Sequence, residues 1–453
     1  MAAAKEHSNW SSKWTFIMAA VGSAVGLGNI WRFPYEAGQG GGGAFVLMYL
    51  GFVFLIGTPV LVAELSLGRR GQLSPIGSML KIAKEEGRSS AWQLVGWSGV
   101  LGSFIVLSFY SVIGGWTLSY IIQSIIGAFD GITAEAAGAL FGTMLASPVT
   151  MILWHAGFIS LTMFIVAKGV EGGLEKAVTI LMPALFILLI ALVIYAAVAG
   201  DFAQAVSFLF KPDFSKVTFS VALEALGQSF FSLSLGLGSM MTYGSYLKKD
   251  TSVGKSAVII ASADTAVALL AGLAIFPLVF AYNLDLSSGP GLIFVTLPIA
   301  FGQMHFGVIF GALFFALLVI AAITSSISLL EPSVSYLQEK TGYTRKKAAL
   351  SIGFGTFMLG ILTVFSFNLL ADFTFAGMTL FDLFDFLTNN LMMPLAGMFM
   401  ALFMGWFILR KNLLEELAMT EKWFKLWYFL VRFVCPLAIG AVFVFLLYEK
   451  FVA

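Results

Sequence analysis

The first apolar stretch of this chain is interrupted by Gly22-Ser23-Ala24-Val25-Gly26-Leu27-Gly28-Asn29, and a later one is interrupted by Ser232-Leu233-Ser234-Leu235-Gly236-Leu237-Gly238-Ser239. Glycine weakens a helix interior and lets the backbone leave helical geometry. In a membrane, unwound backbone is tolerated only where protein or a watery cavity satisfies its polar groups. Two broken helices at corresponding points of two similar halves therefore predict a binding site between two repeats.

The composition predicts a polytopic membrane protein. The chain has 453 residues, of which 59% are hydrophobic and only 11% are charged, whereas a soluble domain carries about 25% charged residues. The net charge is +1 and no basic tract is present, so a nucleic-acid partner is not expected. The single cysteine, Cys435, has no partner for an internal disulfide and is predicted to be a packed apolar side chain.

Apolar stretches long enough to cross a bilayer as helices number about 11, which predicts an all-α fold. They lie near residues 13–36, 43–68, 91–127, 148–167, 175–199, 218–245, 255–282, 306–338, 346–367, 376–409 and 424–449. The loops between them alternate between lysine- and arginine-rich and acidic. The positive-inside rule then predicts a cytoplasmic N-terminus and a C-terminus on the outer side.

The spans divide into two halves. An odd number of spans separates the first span from the sixth, so spans one to five and six to ten are predicted to form inverted repeats, near residues 13–200 and 218–410. Residues 1–12 are then a cytoplasmic tail and residues 424–449 an additional helix, all within one domain of residues 1–453. The segment Ser287–Gln303 contains Gly-Pro-Gly and Pro298, and it is predicted to be an external re-entrant or lid segment.

Two groups of residues in these spans suit a hard cation. Unwinding at Gly22–Asn29 exposes carbonyls for a cation and amides for an anion, and Asn29 adds a side-chain oxygen. Three consecutive hydroxyls, Thr324-Ser325-Ser326, lie in an apolar helix, and Na⁺ prefers oxygen ligands as other hard cations do. The alternatives are a glycine packing face and hydroxyls that bond back to the preceding turn.

Charged residues inside spans are costly and so indicate function or pairing. Asp264 is predicted to have a functional role. For Glu64, structural bonding to the unwound backbone and a proton-transfer role both remain open. Arg32 and Asp385 either pair in an external vestibule or are solvated separately. No phosphate-loop or zinc-hydrolase motif is complete in the sequence, so an enzyme is not expected.

Several motifs together resemble the neurotransmitter:sodium symporter family, and its eleven-span bacterial form in particular. The motifs are Gly22–Pro34, Gly40–Phe45, Gln228–Gly236 and Thr324–Ser326, and the resemblance covers nearly the whole chain. It implies a multi-pass transporter in the plasma (inner) membrane of a bacterium, with a 5+5 inverted repeat and discontinuous helices one and six. It also implies two bound sodium ions as cofactors, with the amino-acid substrate and the lipid bilayer as partners. The oligomeric state stays open.

The resemblance also implies ligands for the two sodium ions. The first ion would be held by the carbonyl of Ala24, by Asn29, Ser232 and Asp264, and by the substrate carboxylate. The second ion would be held by the carbonyls of Gly22, Val25 and Ala321 and by the hydroxyls of Thr324 and Ser325.

A substrate pocket and two gates are implied in the same way. The substrate carboxylate would meet the amides of Leu27 and Gly28 and the hydroxyl of Tyr110, and the ammonium would meet carbonyls near Ser23, Phe231 and Ser234. The side-chain pocket would be lined by Val106, Phe231, Leu237, Ser326 and Leu329, with Phe231 as a lid. Gly26 and Ser232 are implied as further substrate-binding residues. The outer gate would be Arg32 with Asp385, and the inner gate Trp10 with Lys5 and Glu339.

Two departures from the family pattern refine the expected function. Monoamine carriers of the family have aspartate where this chain has Gly26, so an α-amino acid is favoured here. Many relatives that need chloride have asparagine where this chain has Asp264, so chloride independence is expected. The sequence therefore predicts a sodium-coupled symporter of hydrophobic, aliphatic and aromatic L-amino acids, of which the exact one stays open. The alternatives are a biogenic-amine carrier and a membrane amino-acid sensor that does not transport.

Overall fold

The computed structural model describes residues 9–284 and 290–451, and these are almost entirely helical. Nine of the helices in these ranges are long and apolar enough to cross a membrane. They are Gly43–Gly71, Ser90–Ile125, Pro148–Ala167, Val170–Ala199, Val253–Ala281, Gly307–Thr341, Arg345–Phe365, Leu380–Phe407 and Glu421–Phe445.

Two further spans are broken. Lys13–Ala24 and Gly28–Gln39 form a pair bent by 51°, which makes a tenth candidate span. The helices Phe219–Ser232 and Ser239–Ser245 correspond to the remaining predicted span and are separated by the second glycine-rich run. The predicted fold class, an all-α polytopic membrane protein with discontinuous helices one and six, is therefore confirmed. We number the spans one to eleven in chain order.

Shorter helices connect the spans. They are Pro75–Glu85, Ala134–Ala146, Phe202–Phe210, Leu292–Gln303 and Arg410–Leu417. Leu292–Gln303 belongs to the predicted re-entrant or lid segment and is shorter than a span, as expected. Residues 287–289 of that segment lie outside the described residues.

Several spans begin at a hydroxyl side chain that caps the first turn. The Ser12 hydroxyl accepts a hydrogen bond from the Thr15 amide at 3.1 Å, and the Thr218 hydroxyl accepts one from the Val221 amide at 3.2 Å. Such caps satisfy amides that have no partner within the helix. The two broken spans start at Lys13 and Phe219, close to the predicted starts at residues 13 and 218.

The broken helices lie at the centre of the molecule. Residues 19–30 are all buried, and the half-helix Lys13–Ala24 packs against Gly307–Thr341 and Val253–Ala281. Gly307–Thr341 also packs along Ser90–Ile125. Spans three, seven and eight thus adjoin the glycine-rich run of span one, and span two adjoins that of span six, as a site between repeats requires.

Candidate functional site

The break in span one frees a carbonyl at Gly22. Val25 has extended geometry, with φ −69° and ψ 110°. The Gly26 amide, which would donate to Gly22 in a continuous helix, donates instead to the Asn29 side-chain oxygen at 3.0 Å. The Asn29 side chain therefore replaces a backbone acceptor and leaves the Gly22 carbonyl available to another donor.

The next residue repeats this exchange. The Leu27 amide donates to the Tyr110 hydroxyl of span three at 3.3 Å rather than to the Ser23 carbonyl. That carbonyl instead accepts a hydrogen bond from the Ser234 hydroxyl of span six at 3.0 Å. The unwound segment is thus held by side chains of neighbouring spans, which is the condition for irregular backbone within a membrane.

The break in span six depends on glycine and on a buried carboxylate. Gly236 has φ +80°, and a Cβ atom there would lie 2.4 Å from the Met393 carbonyl oxygen, so only glycine fits. The Gly236 amide donates to the Glu64 carboxylate at 3.0 Å. Of the two alternatives for Glu64, this contact favours structural bonding to the unwound backbone.

Three of the predicted ligands of the first cation form one buried cluster. The Asn29 amide nitrogen donates to Asp264 Oδ1 at 2.7 Å and to the Ser232 hydroxyl at 3.0 Å, and the Ser232 hydroxyl donates to Asp264 Oδ2. All three side chains are fully buried, and Ala24 ends the adjoining half-helix. The cluster offers a carboxylate and neutral oxygens, which suits a hard cation such as sodium.

The predicted ligands of the second cation also come together. The Ser325 hydroxyl donates to both the Val25 carbonyl, at 3.1 Å, and the Gly22 carbonyl, at 3.4 Å. The Thr324 hydroxyl donates to the Ala321 carbonyl at 3.0 Å. These are neutral carbonyl and hydroxyl oxygens, and they too fit a sodium ion.

Ser326 differs from this pattern. Its hydroxyl donates to the Ile323 carbonyl at 2.8 Å and lies 2.8 Å from the Thr162 hydroxyl of span four. Consecutive helical residues point about 100° apart, so Ser326 faces another neighbour than Ser325 does. The contact that the structure gives Ser326 is therefore with span four, and its assignment to the substrate pocket stays a prediction.

A cavity of about 270 Å³ lies beside the break in span one. Its lining includes four predicted substrate residues, Leu27, Gly28, Tyr110 and Phe231. The rest of the lining is Trp31, Arg32, Tyr35, Glu36, Phe109, Ile113, Pro290, Phe381 and Asp385. A mostly apolar cavity with a few polar groups is typical of small-molecule sites. Val106, Leu237 and Leu329 are buried, but they are not part of this lining.

Close packing explains two glycines of the unwound segment. A Cβ atom on Gly26 would lie 2.6 Å from the Ser325 hydroxyl oxygen and 2.9 Å from that of Tyr110. A Cβ atom on Gly28 would lie 2.6 Å from the Phe231 ring. Neither position has room for a side chain, so an aspartate at position 26 does not fit this arrangement.

The predicted outer gate is not closed in this structure. Arg32 pairs with Glu36 at 3.3 Å, and its guanidinium lies 4.9 Å from the centre of the Phe231 ring. Asp385 accepts a hydrogen bond from Asn389 at 2.6 Å. Arg32 and Asp385 nevertheless line the same cavity, so their pairing in another conformation stays a prediction.

Two of the three predicted inner-gate residues are described. Trp10 is buried, and its indole donates to the Tyr243 carbonyl at 2.9 Å. Glu339 accepts a hydrogen bond from the Ser74 amide at 2.8 Å. Among the residues described, no hydrogen bond or ion pair joins Trp10 to Glu339, and Lys5 lies outside those residues.

Sequence reasoning assigned no role to two polar residues of the site. The Tyr49 hydroxyl lies 3.0 Å from the Ser232 hydroxyl and donates to Asp264 at 3.4 Å. The Gln228 side chain donates to the Gly28 carbonyl at 3.0 Å and so ties the two broken helices together. A polar amide in an apolar helix was a usable signal for Gln228, whereas a single tyrosine in span two forms no pattern.

Comparisons with known proteins identify relatives over nearly the whole chain. Residues 7–131 and 141–451 match the family model described as "Sodium:neurotransmitter symporter family". The chain is 41% identical to the uncharacterized sodium-dependent transporter YhdH of Bacillus subtilis (strain 168), over 96% of each chain. It is 38% identical to an uncharacterized sodium-dependent transporter of Haemophilus influenzae, over 97% of this chain and 98% of the relative.

A solved structure agrees with these sequence matches. The crystal structure of MhsT in complex with L-phenylalanine superposes with a TM-score of 0.90 at 45% sequence identity, covering 96% of this chain and 99% of MhsT. The resemblance on which the sequence prediction rests is thereby confirmed. The broken helices, the oxygen clusters beside them and these matches lead to one conclusion: the chain belongs to the sodium:neurotransmitter symporter family and is a sodium-dependent membrane transporter.

Proposed function

We propose that this chain is a symporter that couples two sodium ions to the uptake of hydrophobic L-amino acids by alternating access, without a need for chloride. One observation carries the proposal. The unwound segment Gly22–Asn29 lies between two oxygen clusters, one with the Asp264 carboxylate and one neutral, beside a largely apolar cavity. Cations and an amino acid thus have adjoining places along one backbone segment.

The α-carboxylate of the substrate is the group that links ion and amino acid. The Leu27 amide and the Tyr110 hydroxyl border the cavity, and both can donate to a carboxylate. In our proposal the same carboxylate also completes the first sodium site beside Asn29. Each ligand then favours binding of the other, and this coupling is reciprocal.

The hydrophobic part of the substrate follows from the cavity lining. Phe109, Ile113, Phe231 and Phe381 surround the space above Gly28 with apolar surface. The structure of MhsT with L-phenylalanine supports an aromatic amino acid as one substrate. Asp264 supports chloride independence, because two sodium ions and a zwitterion need a compensating negative charge in a buried site.

The remaining assignments concern gating and orientation. In our proposal Arg32 and Asp385 close the cavity from outside, and Trp10 with Lys5 and Glu339 closes the opposite path. The N-terminus is cytoplasmic and the C-terminus lies outside, in a bacterial inner membrane, as the distribution of lysine and arginine favours. A biogenic-amine carrier is disfavoured because position 26 has no room for the carboxylate that would pair with a free amine.

A binding screen of the common amino acids in Na⁺ and in K⁺ tests the proposal. We expect Na⁺-dependent binding of phenylalanine, tryptophan and leucine, and far weaker binding of tryptamine, which lacks the carboxylate. Counterflow in proteoliposomes then separates a carrier from a sensor, because a sensor binds without exchange. Equal binding in K⁺, or equal binding of tryptamine and tryptophan, would overturn the proposal.

A further inference from the structure

The arginines of the described chain differ in whether they have an acidic partner. Arg32, Arg69, Arg70 and Arg345 each form an ion pair with a glutamate. Within residues 9–284 and 290–451, Arg88, Arg410 and Arg432 form none. Arg432 lies inside span eleven, where a charge without a counter-ion is costly and points to a function.

Neutral groups surround the Arg432 guanidinium. Its carbon lies 4.1 Å from the centre of the Trp406 ring and 5.5 Å from that of Phe433. One terminal nitrogen donates to the Tyr428 hydroxyl at 3.0 Å, while Nε is buried and has no partner among the described residues. Aromatic rings attract a cation, but they do not neutralise it, so a negative charge is still missing here.

Two irregular turns fix the position of this arginine. Spans ten and eleven contain π-helical turns at Phe403–Phe407 and Leu430–Val434. They approach closely at Gly405, where a Cβ atom would lie 2.7 Å from the Arg432 Cα. The Trp406 indole also donates to the Arg432 carbonyl at 2.9 Å. The side chain of Arg432 is therefore held against Trp406.

A second unpaired arginine contacts the same turn of span ten. Arg88 Nε donates to the Phe407 carbonyl at 2.9 Å, and its guanidinium lies 5.8 Å from the centre of the Phe407 ring. Arg88 and Arg432 thus contact adjacent residues, Phe407 and Trp406. Within the described part of the chain, no hydrogen bond to protein involves the terminal nitrogens of Arg88.

Both arginines lie towards a polar end of their part of the fold: Arg88 is exposed and precedes Ser90, the first residue of span three. Span eleven begins with the exposed ion pair Glu421–Lys425, and helical side chains lean towards the N-terminus of their helix. The Arg432 guanidinium therefore leans towards the polar end of its span, as long cationic side chains do near a membrane surface. Trp406 and Trp423 are 48% and 61% exposed, and tryptophan is common at the level of the lipid headgroups.

We propose that Arg88 and Arg432 bind the phosphate of an anionic phospholipid of the phosphatidylglycerol class, which packs against Trp406. Guanidinium groups recognise phosphate oxygens through paired N–H donors, and two unpaired arginines favour a lipid with net negative charge. The exposed rings of Trp406 and Phe433 provide apolar contact for the glycerol and upper acyl chain. This contact favours a whole lipid over a free phosphate ion.

The test uses the full-length protein, delipidated in a neutral detergent and titrated with lipid. Bound lipid is counted by native mass spectrometry, and the thermal unfolding midpoint is followed in parallel. We expect phosphatidylglycerol to bind and to raise the midpoint more than phosphatidylcholine does. Arg88→Gln and Arg432→Gln should each weaken phosphatidylglycerol binding by about fivefold, and the double variant should lose the preference for this lipid.

A matched control and two further arms make the result decisive. Lys411→Gln removes the same charge from a side chain that is 85% exposed, and it should leave lipid binding unchanged. If Arg432→Gln does not fold, Arg432→Lys keeps the charge without the paired donors and should retain the preference with weaker binding. An unchanged affinity for phosphatidylglycerol in both Arg88→Gln and Arg432→Lys overturns the proposal. So does equal protection of the wild type by inorganic phosphate or by phosphatidylcholine.

Discussion

The two predicted cation sites flank the same broken helix but differ in their charge. The first contains the Asp264 carboxylate, which bonds to Asn29 and Ser232, whereas the second contains neutral oxygens from Val25, Ser325 and their neighbours. In a low-dielectric interior a fixed charge interacts much more strongly with a cation than a neutral dipole does. The first site is therefore suited to tight binding and the second to reversible binding.

Their positions in the fold differ in a complementary way. The first cluster joins spans one, six and seven through direct hydrogen bonds among Asn29, Ser232 and Asp264. The second joins the unwound end of the half-helix Lys13–Ala24 to span eight through the Ser325 hydroxyl. Without a cation at the second site, the half-helix and span eight are joined by the Ser325 hydroxyl, shared between the Val25 and Gly22 carbonyls, and by a hydrogen bond from Ser23 to Ser328 at 2.8 Å. We infer that ion release begins there.

The largest expected effect comes from removing the charge of the first site. Asp264→Asn should lower Na⁺-dependent uptake by roughly 100-fold, because the buried charge is lost and the hydrogen bonds that Asn29, Ser232 and Tyr49 donate to it are weakened. If the carboxylate takes the place of chloride, uptake by the variant should rise when chloride replaces gluconate, while wild-type uptake should not change. Uptake of radiolabelled phenylalanine into proteoliposomes in the two media measures both effects.

A matched control separates the loss of this particular carboxylate from a general loss of activity. Asp372→Asn removes a carboxylate from an exposed loop, and it should transport at the wild-type rate in either medium. Wild-type uptake that collapses in gluconate would refute the electrostatic role of Asp264.

The next prediction concerns whether position 26, between the two cation sites, must be a glycine. A methyl group on Gly26 would press against the hydroxyls of Ser325 and Tyr110, so Gly26→Ala should weaken both Na⁺ and amino-acid binding, by roughly 30-fold for the amino acid. Gly51→Ala in span two is the control, because a Cβ atom there meets no atom within 4 Å. Binding assays for Na⁺ and the amino acid compare the two variants. Similar affinities of Gly26→Ala and Gly51→Ala would mean that the segment around Gly26 is more loosely packed than these distances indicate.

The sequence predicted the elements of this site better than the directions of its side chains. Glycine-rich runs in apolar stretches mark the breaks, and a carboxylate in an apolar span marks Asp264, because both are costly unless used. A hydroxyl residue in an apolar helix gives no comparable signal of the direction in which its side chain points. Ser325 and Ser326 are adjacent in sequence, yet one bonds to the unwound carbonyls and the other lies against Thr162. Only the packing of span eight against its neighbours sets this difference.

Gate residues were harder to predict for another reason. A pair such as Arg32 and Asp385 exists in only some conformations of a protein that alternates between states. In this structure Arg32 pairs with Glu36 instead.

Adjacent hydroxyls allow a sharp test of the second site. Ser325→Ala should raise the Na⁺ concentration needed for half-maximal binding about fivefold, because one hydroxyl oxygen is lost from the ion's shell. Ser326→Ala should leave the Na⁺ dependence unchanged, since its hydroxyl bonds to Ile323 and lies against Thr162. Na⁺ titrations at fixed phenylalanine compare the two. If Ser326→Ala changes the ranking of amino acids, its predicted place in the substrate pocket is correct after all.

The smallest expected effect concerns the route by which the second cation leaves. Span five begins with a π-helical turn at Val170–Glu175 and carries Pro183 within its helix. The Glu175 carboxylate accepts hydrogen bonds from the Ser11 amide and hydroxyl at 2.7 and 2.6 Å, which ties this turn to the start of span one. The hypothesis is that this end of span five unwinds and admits water to the Thr324–Ser325 site. The alternative is an ordinary helix start with a packed kink.

Pro183→Ala restores a backbone donor and should make span five harder to unwind. We expect transport to slow by about threefold, while Na⁺-dependent binding stays the same, because no ligand of either cation is changed. Gly172→Ala should also slow transport. It is a better test than Gly173→Ala, because a Cβ atom on Gly172 meets nothing within 4 Å. A Cβ atom on Gly173 would lie 2.1 Å from the Ile165 carbonyl oxygen. Hydrogen exchange at residues 168–180 should be faster without Na⁺ in the wild type and less so in both variants. Wild-type transport rates together with Na⁺-independent exchange would make span five a structural element and place ion release elsewhere.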